Sequence, residues 1–133
     1  MCKKAILCVD DEKIVLIGLR DQLSHYFGDR YIYEFAESAD EAWEVIEELD
    51  AKEIQILLIV SDWLMPNMKG DDFLIKVHHS FPQIIKVLLT GQADEEAIER
   101  TRKYANLHDY LPKPWDKETL VKILESGLEQ NDE

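Results

Sequence analysis

The sequence has little of what would commit a protein to the cell exterior, a membrane or a nucleic acid. Only two of its 133 residues are cysteine. Cys2 and Cys8 are close together and Cys8 lies inside an apolar run, which argues against a disulfide framework and for reduced thiols in a cytoplasmic protein. No apolar run approaches the ~20 residues that a membrane-spanning helix needs. The short run at residues 5–9 follows Lys3 and Lys4 but is cut off by Asp10 and Asp11, so it does not read as a secretory signal. Basic residues are scarce beside acidic ones, 15 against 28, for a net charge of −13. That balance argues against a basic surface for nucleic acid or anionic lipid, while leaving room for a small cation. There is no repeat, low-complexity tract or Pro/Gly-rich linker, and the length suits one domain. Residues 1–128 are expected to form it, with a polar tail at 129–133.

What is present is a rhythm. Hydrophobic residues make up 46% of the chain, and short apolar runs alternate with longer amphipathic stretches. Strands are expected at residues 5–9, 31–35, 54–60, 84–89 and 109–111. Helices are expected at 13–27, 40–50, 71–79, 94–105 and 116–128. The helix signal is spacing: Ala42, Ile46 and Leu49 fall at i, i+4, i+7, Ile14, Leu16, Ile17, Leu23 and Phe27 follow a similar pattern, and Leu120, Ile123, Leu124 and Leu128 should face inward. Runs apolar on both faces, alternating with helices, indicate an α/β fold with a doubly wound parallel sheet.

Polar residues fall where those strands end. The first runs into Asp10, Asp11 and Glu12, the third ends at Ser61 and Asp62, the fourth ends at Thr90, and Lys113 follows the fifth. Each alone has a plain structural reading: an acidic pair is usually a helix cap, and Thr-Gly a turn. In a parallel sheet, however, the residues just past the strand ends share one crevice. The order of the chain therefore predicts a cluster of three aspartates, a hydroxyl and an amine. Hard oxygen ligands suit Mg²⁺ or Mn²⁺. An ammonium can pair with a carboxylate or a phosphoryl oxygen, and a carboxylate is a competent nucleophile toward phosphorus.

Val9-Asp10-Asp11-Glu12, the run Asp62-Trp63-Leu64-Met65-Pro66-Asn67-Met68-Lys69-Gly70, Leu89-Thr90-Gly91 and Tyr110-Leu111-Pro112-Lys113-Pro114 together resemble the receiver domain of two-component response regulators, over about residues 4–128. The resemblance implies a flavodoxin-like five-stranded sheet in the order 2-1-3-4-5. It implies that Asp62 accepts a phosphoryl group from a histidine kinase or phosphotransfer protein. Asp10, Asp11, Asp62 and the backbone carbonyl of Leu64 would hold the metal. Lys113 would pair with Asp62 and then with the phosphoryl group. Thr90 would bond the phosphoryl oxygen and Tyr110 would follow it as the aromatic switch. Lys113-Pro114 would be a cis peptide aiming Lys113 into the crevice, and Met65-Pro66 and Gly70 would shape the loop after Asp62. Leu64, Gly91 and Gln92 would tune the lifetime of the phosphoryl group. Output would pass through the surface of the fourth helix, fifth strand and fifth helix to an effector domain or partner protein. A homodimer through that surface is a further option. The domain would be no enzyme beyond its own phosphorylation and dephosphorylation. The segment 110–115 also resembles receivers attached to cyclic-dinucleotide hydrolases and ATPase-type regulators.

Two other functions compete. A phosphohydrolase with an aspartate nucleophile would carry an acid two residues later, where this chain has Leu64. A flavin carrier of the same topology would need a hydroxyl- and glycine-rich loop where this chain has Asp10-Asp11-Glu12. His78-His79 read as surface histidines, since adjacent helical positions do not share a face. Trp43 reads as packing, and Trp63 as a fluorescence reporter beside Asp62. Residues 34–53 hold nine acidic residues and one basic, so most of the negative charge belongs to the second helix. Arg100, Arg102 and Lys103 are expected to balance the crevice from the output face.

Overall fold

A computed structural model describes residues 3–91 and 95–130. Five strands, β1 (Lys4–Val9), β2 (Ile32–Ala36), β3 (Gln55–Asp62), β4 (Ile85–Thr90) and β5 (Asp109–Pro112), form one parallel sheet in the order β2-β1-β3-β4-β5. The helices are α1 (Lys13–Phe27), α2 (Ala39–Ala51), α3 (Gly70–Ser80), α4 (Glu95–Ala105) and α5 (Lys117–Glu129), with a short 3₁₀ turn at Gly28–Arg30. This is the expected α/β, flavodoxin-like architecture, with boundaries moved by one or two residues. The start expected for the fourth helix, Asp94, lies outside the described residues.

The sheet separates two apolar layers, and β1 supplies both because its side chains alternate across the sheet. Ala5, Leu7 and Val9 face Ala42 and Ile46 of α2, Phe73 and Val77 of α3 and Ile98 of α4. Ile6 and Cys8 face Leu19 and Leu23 of α1 and Leu120 and Leu124 of α5. Ser38 caps α2 by accepting from the Glu41 N–H at 3.1 Å, and Asp116 caps α5 by accepting from the Thr119 N–H at 2.8 Å. Helix α1 differs from its expected burial. Leu16, Leu19, Leu23 and Phe27 are buried, while Ile14 and Ile17 face solvent. Apolar residues surround much of that helix, so spacing alone did not single out the inward face.

Register sets where the polar strand ends meet. Val9 pairs with Ser61 and Asp62 with Leu89, while Thr90 pairs with Pro112. The carboxyl ends of β1, β3, β4 and β5 therefore finish at one level. Pro112 lies in the edge strand β5, where its missing N–H leaves no gap inside the sheet.

Candidate functional site

Asp10 follows β1 and is fully buried, Asp62 closes β3 at 4% exposure, and Thr90 closes β4 fully buried. Asp11 is exposed beside them. The three carboxylates can offer oxygens within 4.8 Å of one another. Lys113 completes the group. Its Nζ lies 2.9 Å from Asp10 Oδ2, 3.1 Å from Asp62 Oδ1 and 3.6 Å from Glu12 Oε1. The amine reaches that point from the loop after β5, where the Lys113 N–H donates to the Thr90 carbonyl at 2.6 Å and the Lys113-Pro114 peptide is cis. Asp10 is no helix cap. Its Oδ1 accepts from the Glu12 N–H at 2.8 Å, while the cap position of α1 is Glu12, whose side chain caps nothing.

Burial dominates the electrostatics. It pushes the Asp62 carboxyl up from 3.8 to about 6, with the nearby Asp10 charge adding and Lys113 opposing. Asp10 is also raised, chiefly by burial. Burial works against the Lys113 ammonium, yet Asp10 and Asp62 together hold it above the ordinary lysine range. One ammonium thus faces three carboxylates, an excess of negative charge that a cation would offset. Apart from its ion pair, Asp10 Oδ2 has no hydrogen-bond partner among the described residues. An all-oxygen donor set with an under-coordinated buried carboxylate fits Mg²⁺.

The remaining expected residues fall around this centre. Thr90 Oγ1 is buried and lacks a hydrogen-bond partner among the described residues. Leu88, paired with Tyr110, and Thr90 lie two apart on β4, so Thr90 and Tyr110 share one face of the sheet. Tyr110 is half-buried against the α2–α3–α4 layer. Leu64 is 60% exposed and offers no acid at the position a phosphohydrolase would use. A Cβ on Gly91 would meet nothing within 4 Å, so packing does not require a glycine there. Gln92 lies outside the described residues. Gly70 is required by packing: a Cβ there would run into the backbone carbonyl of Asp62 itself, and the Gly70 N–H donates to the Trp63 carbonyl at 2.7 Å.

Three features are absent from the sequence reading. Arg100 pairs with Asp71 and Asp72, and Arg102 with Glu99, so those two cations are neutralised locally instead of balancing the crevice. His78 is no simple surface histidine, because its Nδ1 meets the Nζ of a buried Lys86 at 2.9 Å. The indole Nε1 of Trp63 is buried without a hydrogen-bond partner among the described residues, beneath a Lys69 ammonium 5.5 Å from the ring centre. Long-range pairs such as Arg100 with Asp71 leave no periodic trace that could have revealed them.

Comparison with known proteins gives this geometry a context. Residues 6–125 match the response regulator receiver domain family. The chain is 30% identical over 129 residues to the chemotaxis protein CheY1 of Helicobacter pylori, covering 96% of this chain and 98% of that protein. It is 28% identical to the hydrogenase transcriptional regulatory protein HoxA of Cupriavidus necator and 31% identical to the sensor kinase CckA of Brucella abortus. There it covers 93% and 96% of itself but only 24% and 13% of those longer proteins. Among solved structures, the signal receiver domain of an HD domain-containing protein from Pseudomonas fluorescens superimposes with a TM-score of 0.85 at 28% identity, covering 98% of this chain and 97% of that one. A CheY-like receiver from Methanospirillum hungatei gives 0.81 at 30% identity, with 98% of each chain covered. No helix among the described residues is long and apolar enough to cross a membrane. Strand order, the acidic cluster at the strand ends and a family match over nearly the whole length lead to one conclusion: this chain belongs to the receiver domain family of two-component response regulators.

Proposed function

We propose that the chain is a phosphoryl-accepting switch of a two-component phosphorelay, with Asp62 as the acceptor. The observation that supports this most directly is the Lys113 ammonium held between Asp10 and Asp62, one strand away from a buried Thr90 hydroxyl with no hydrogen-bond partner among the described residues. A carboxylate oxygen of Asp62 attacks phosphorus, a P–O bond forms, and the P–N bond of a phosphohistidine breaks. The departing imidazole takes up a proton. Lys113 stabilises charge on the phosphoryl oxygens and Thr90 donates its hydroxyl to one of them. Asp10, Asp11, Asp62 and the backbone carbonyl of Leu64 would hold Mg²⁺ or Mn²⁺. Bound there, the ion supplies positive charge against the oxygens in transfer.

Drawing Thr90 toward the phosphoryl group frees space on the sheet face it shares with Tyr110, which moves inward. The surface of α4, β5 and α5 then changes for an effector domain, a partner protein or a second copy of the chain. The partner upstream is a histidine kinase or phosphotransfer protein. The domain spans residues 1–128 with a tail at 129–133, works in the cytoplasm, and turns over only its own phosphoryl group. In the longer relatives the matched segment is a fraction of the protein, consistent with a module that serves different outputs. Mass spectrometry after incubation with acetyl phosphate and Mg²⁺ tests the assignment. The wild type should gain about 80 Da, the mass of one phosphoryl group, and Asp62→Asn should gain nothing. An adduct that persists in Asp62→Asn would refute Asp62 as the acceptor.

A further inference from the structure

Helix α4 is held to the body of the protein chiefly through α3. Its buried residues are Ala97, Ile98, Thr101 and Ala105, and its main neighbour is α3. Among the described residues, the two ion pairs that leave α4 are both made by Arg100. Its Nη1 lies 2.9 Å from Asp71 Oδ2 and 2.8 Å from Asp72 Oδ1, in the first turn of α3. Arg102 pairs within α4, with Glu99, and Lys103 lies over the ring of its neighbour Tyr104.

Asp71 is itself fixed. It is 7% exposed, and its other oxygen accepts from the Asp72 N–H at 3.0 Å. It follows Gly70, which is pressed against the carbonyl of Asp62 and bonded to that of Trp63. The acceptor loop, the start of α3 and α4 are therefore joined by consecutive tight contacts that run through Asp71 and Arg100. Beside them lies a cleft of about 210 Å³ between Trp63, Lys69, Glu96 and Arg100, which gives α4 room to shift.

We propose that Arg100 is a positioning residue whose hold on Asp71 and Asp72 restrains α4 in the resting arrangement, so that phosphorylation of Asp62 works against it. The ion pair is present in the resting state, and contacts present in only one of two states set the balance between them. This route runs through α3, separate from the Thr90–Tyr110 route, and it rests on the phosphoryl-acceptor reading above.

Beryllofluoride with Mg²⁺ is the probe, and its dissociation constant is read from tryptophan fluorescence in wild type and variants. Arg100→Gln should bind roughly threefold to tenfold more tightly, because the restraint no longer opposes binding. Arg100→Lys keeps the charge but replaces the planar guanidinium with a compact ammonium and should fall between the two. Arg102→Gln, which removes the same charge from the same helix, should match the wild type. Asp72→Asn removes one exposed half of the hold and should tighten binding by a smaller factor, which keeps the test decisive if Arg100→Gln folds poorly. A purely structural role for Arg100 would weaken binding on removal. Equal or weaker binding by both Arg100→Gln and Asp72→Asn overturns the restraint. Failure of the wild type to bind beryllofluoride at all overturns the acceptor reading as well, and is seen before any variant is compared.

Discussion

Lys86 places an ammonium inside the sheet with no carboxylate in ion-pair distance among the described residues. It is 1% exposed, and among the described residues its Nζ meets His78 Nδ1 at 2.9 Å and the Pro82 carbonyl at 3.3 Å. Burial pushes its pKa down from 10.5 to about 8. At neutral pH the charge is kept, at a free-energy cost of about 3 kcal/mol as an upper limit. Lys86→Met keeps the length of the side chain and removes the charge. The lost hydrogen bonds return about 1 kcal/mol of that gain, since Pro82 is exposed and water can serve its carbonyl. The variant should therefore be more stable than wild type at pH 7 by about 1–2 kcal/mol. The pH dependence has a definite sign. Below about 8 the wild-type cost is fully present; between about 8 and 10.5 the unfolded state binds the proton and the folded state does not, so wild-type stability rises with pH. The advantage of Met should shrink over that interval. Urea unfolding in the presence of EDTA at pH 7 and pH 10 measures it, and at pH 7 the midpoint should rise by roughly 1 M. His78 gives a second readout. Burial and then the Lys86 charge hold its pKa down, so removing the charge should raise it, as followed by NMR. A Met variant less stable at pH 7, or an advantage independent of pH, would refute the reasoning.

The Asp62 carboxyl, raised to about 6, carries the opposite sign: its charge costs stability above that pH, and the cost is relieved as pH falls from about 6 toward 3.8. Metal-free Asp62→Asn should therefore melt above the wild type at pH 7.5, by an increment worth about 1–2 kcal/mol, and should show a smaller rise in melting temperature on adding Mg²⁺. Equal responses of both proteins to Mg²⁺ would remove Asp62 from the ligand set. Gly70→Ala forces a methyl group against the Asp62 carbonyl and should cost about 1–3 kcal/mol in urea unfolding while slowing phosphorylation by acetyl phosphate. Gly18→Ala, within α1 where a Cβ meets nothing within 4 Å, should instead stabilise by about 0.5–1 kcal/mol, and reversal of that order would show that local packing at Gly70 is not as described.

The cluster of carboxylates, hydroxyl and amine was legible because a parallel sheet turns positions along the chain into positions in space. Asp10, Asp62, Thr90 and Lys113 lie far apart in sequence, but each sits at or just past a strand's carboxyl end, and register brings those ends to one level. The helices were legible where spacing was clean, as with Ala42, Ile46 and Leu49 of α2, all buried. Spacing failed for α1, where Ile14 and Ile17 satisfy a helical pattern yet face solvent while Leu19 is buried. It failed again for side chains paired across elements. Lys86 in β4 breaks an otherwise apolar run, and nothing in the run points to His78 and Pro82 as its partners. Arg100 reads as one of several cations on a charged helix until Asp71 is found beside it. Such pairs depend on how helices pack, which neither propensity nor periodicity encodes.

Among the described residues the two apolar layers share no buried side chain, and Cys8 belongs to the layer under α1 and α5, away from α4. Its thiol is fully buried and pushed up to about 12 by burial, so it is chemically silent in the folded chain. In a Cys2→Ser background, the rate of alkylation at Cys8 becomes a clock for opening of the whole domain. Displacement of α4 on the far side of the sheet leaves that clock untouched. Loss of the core lets it run.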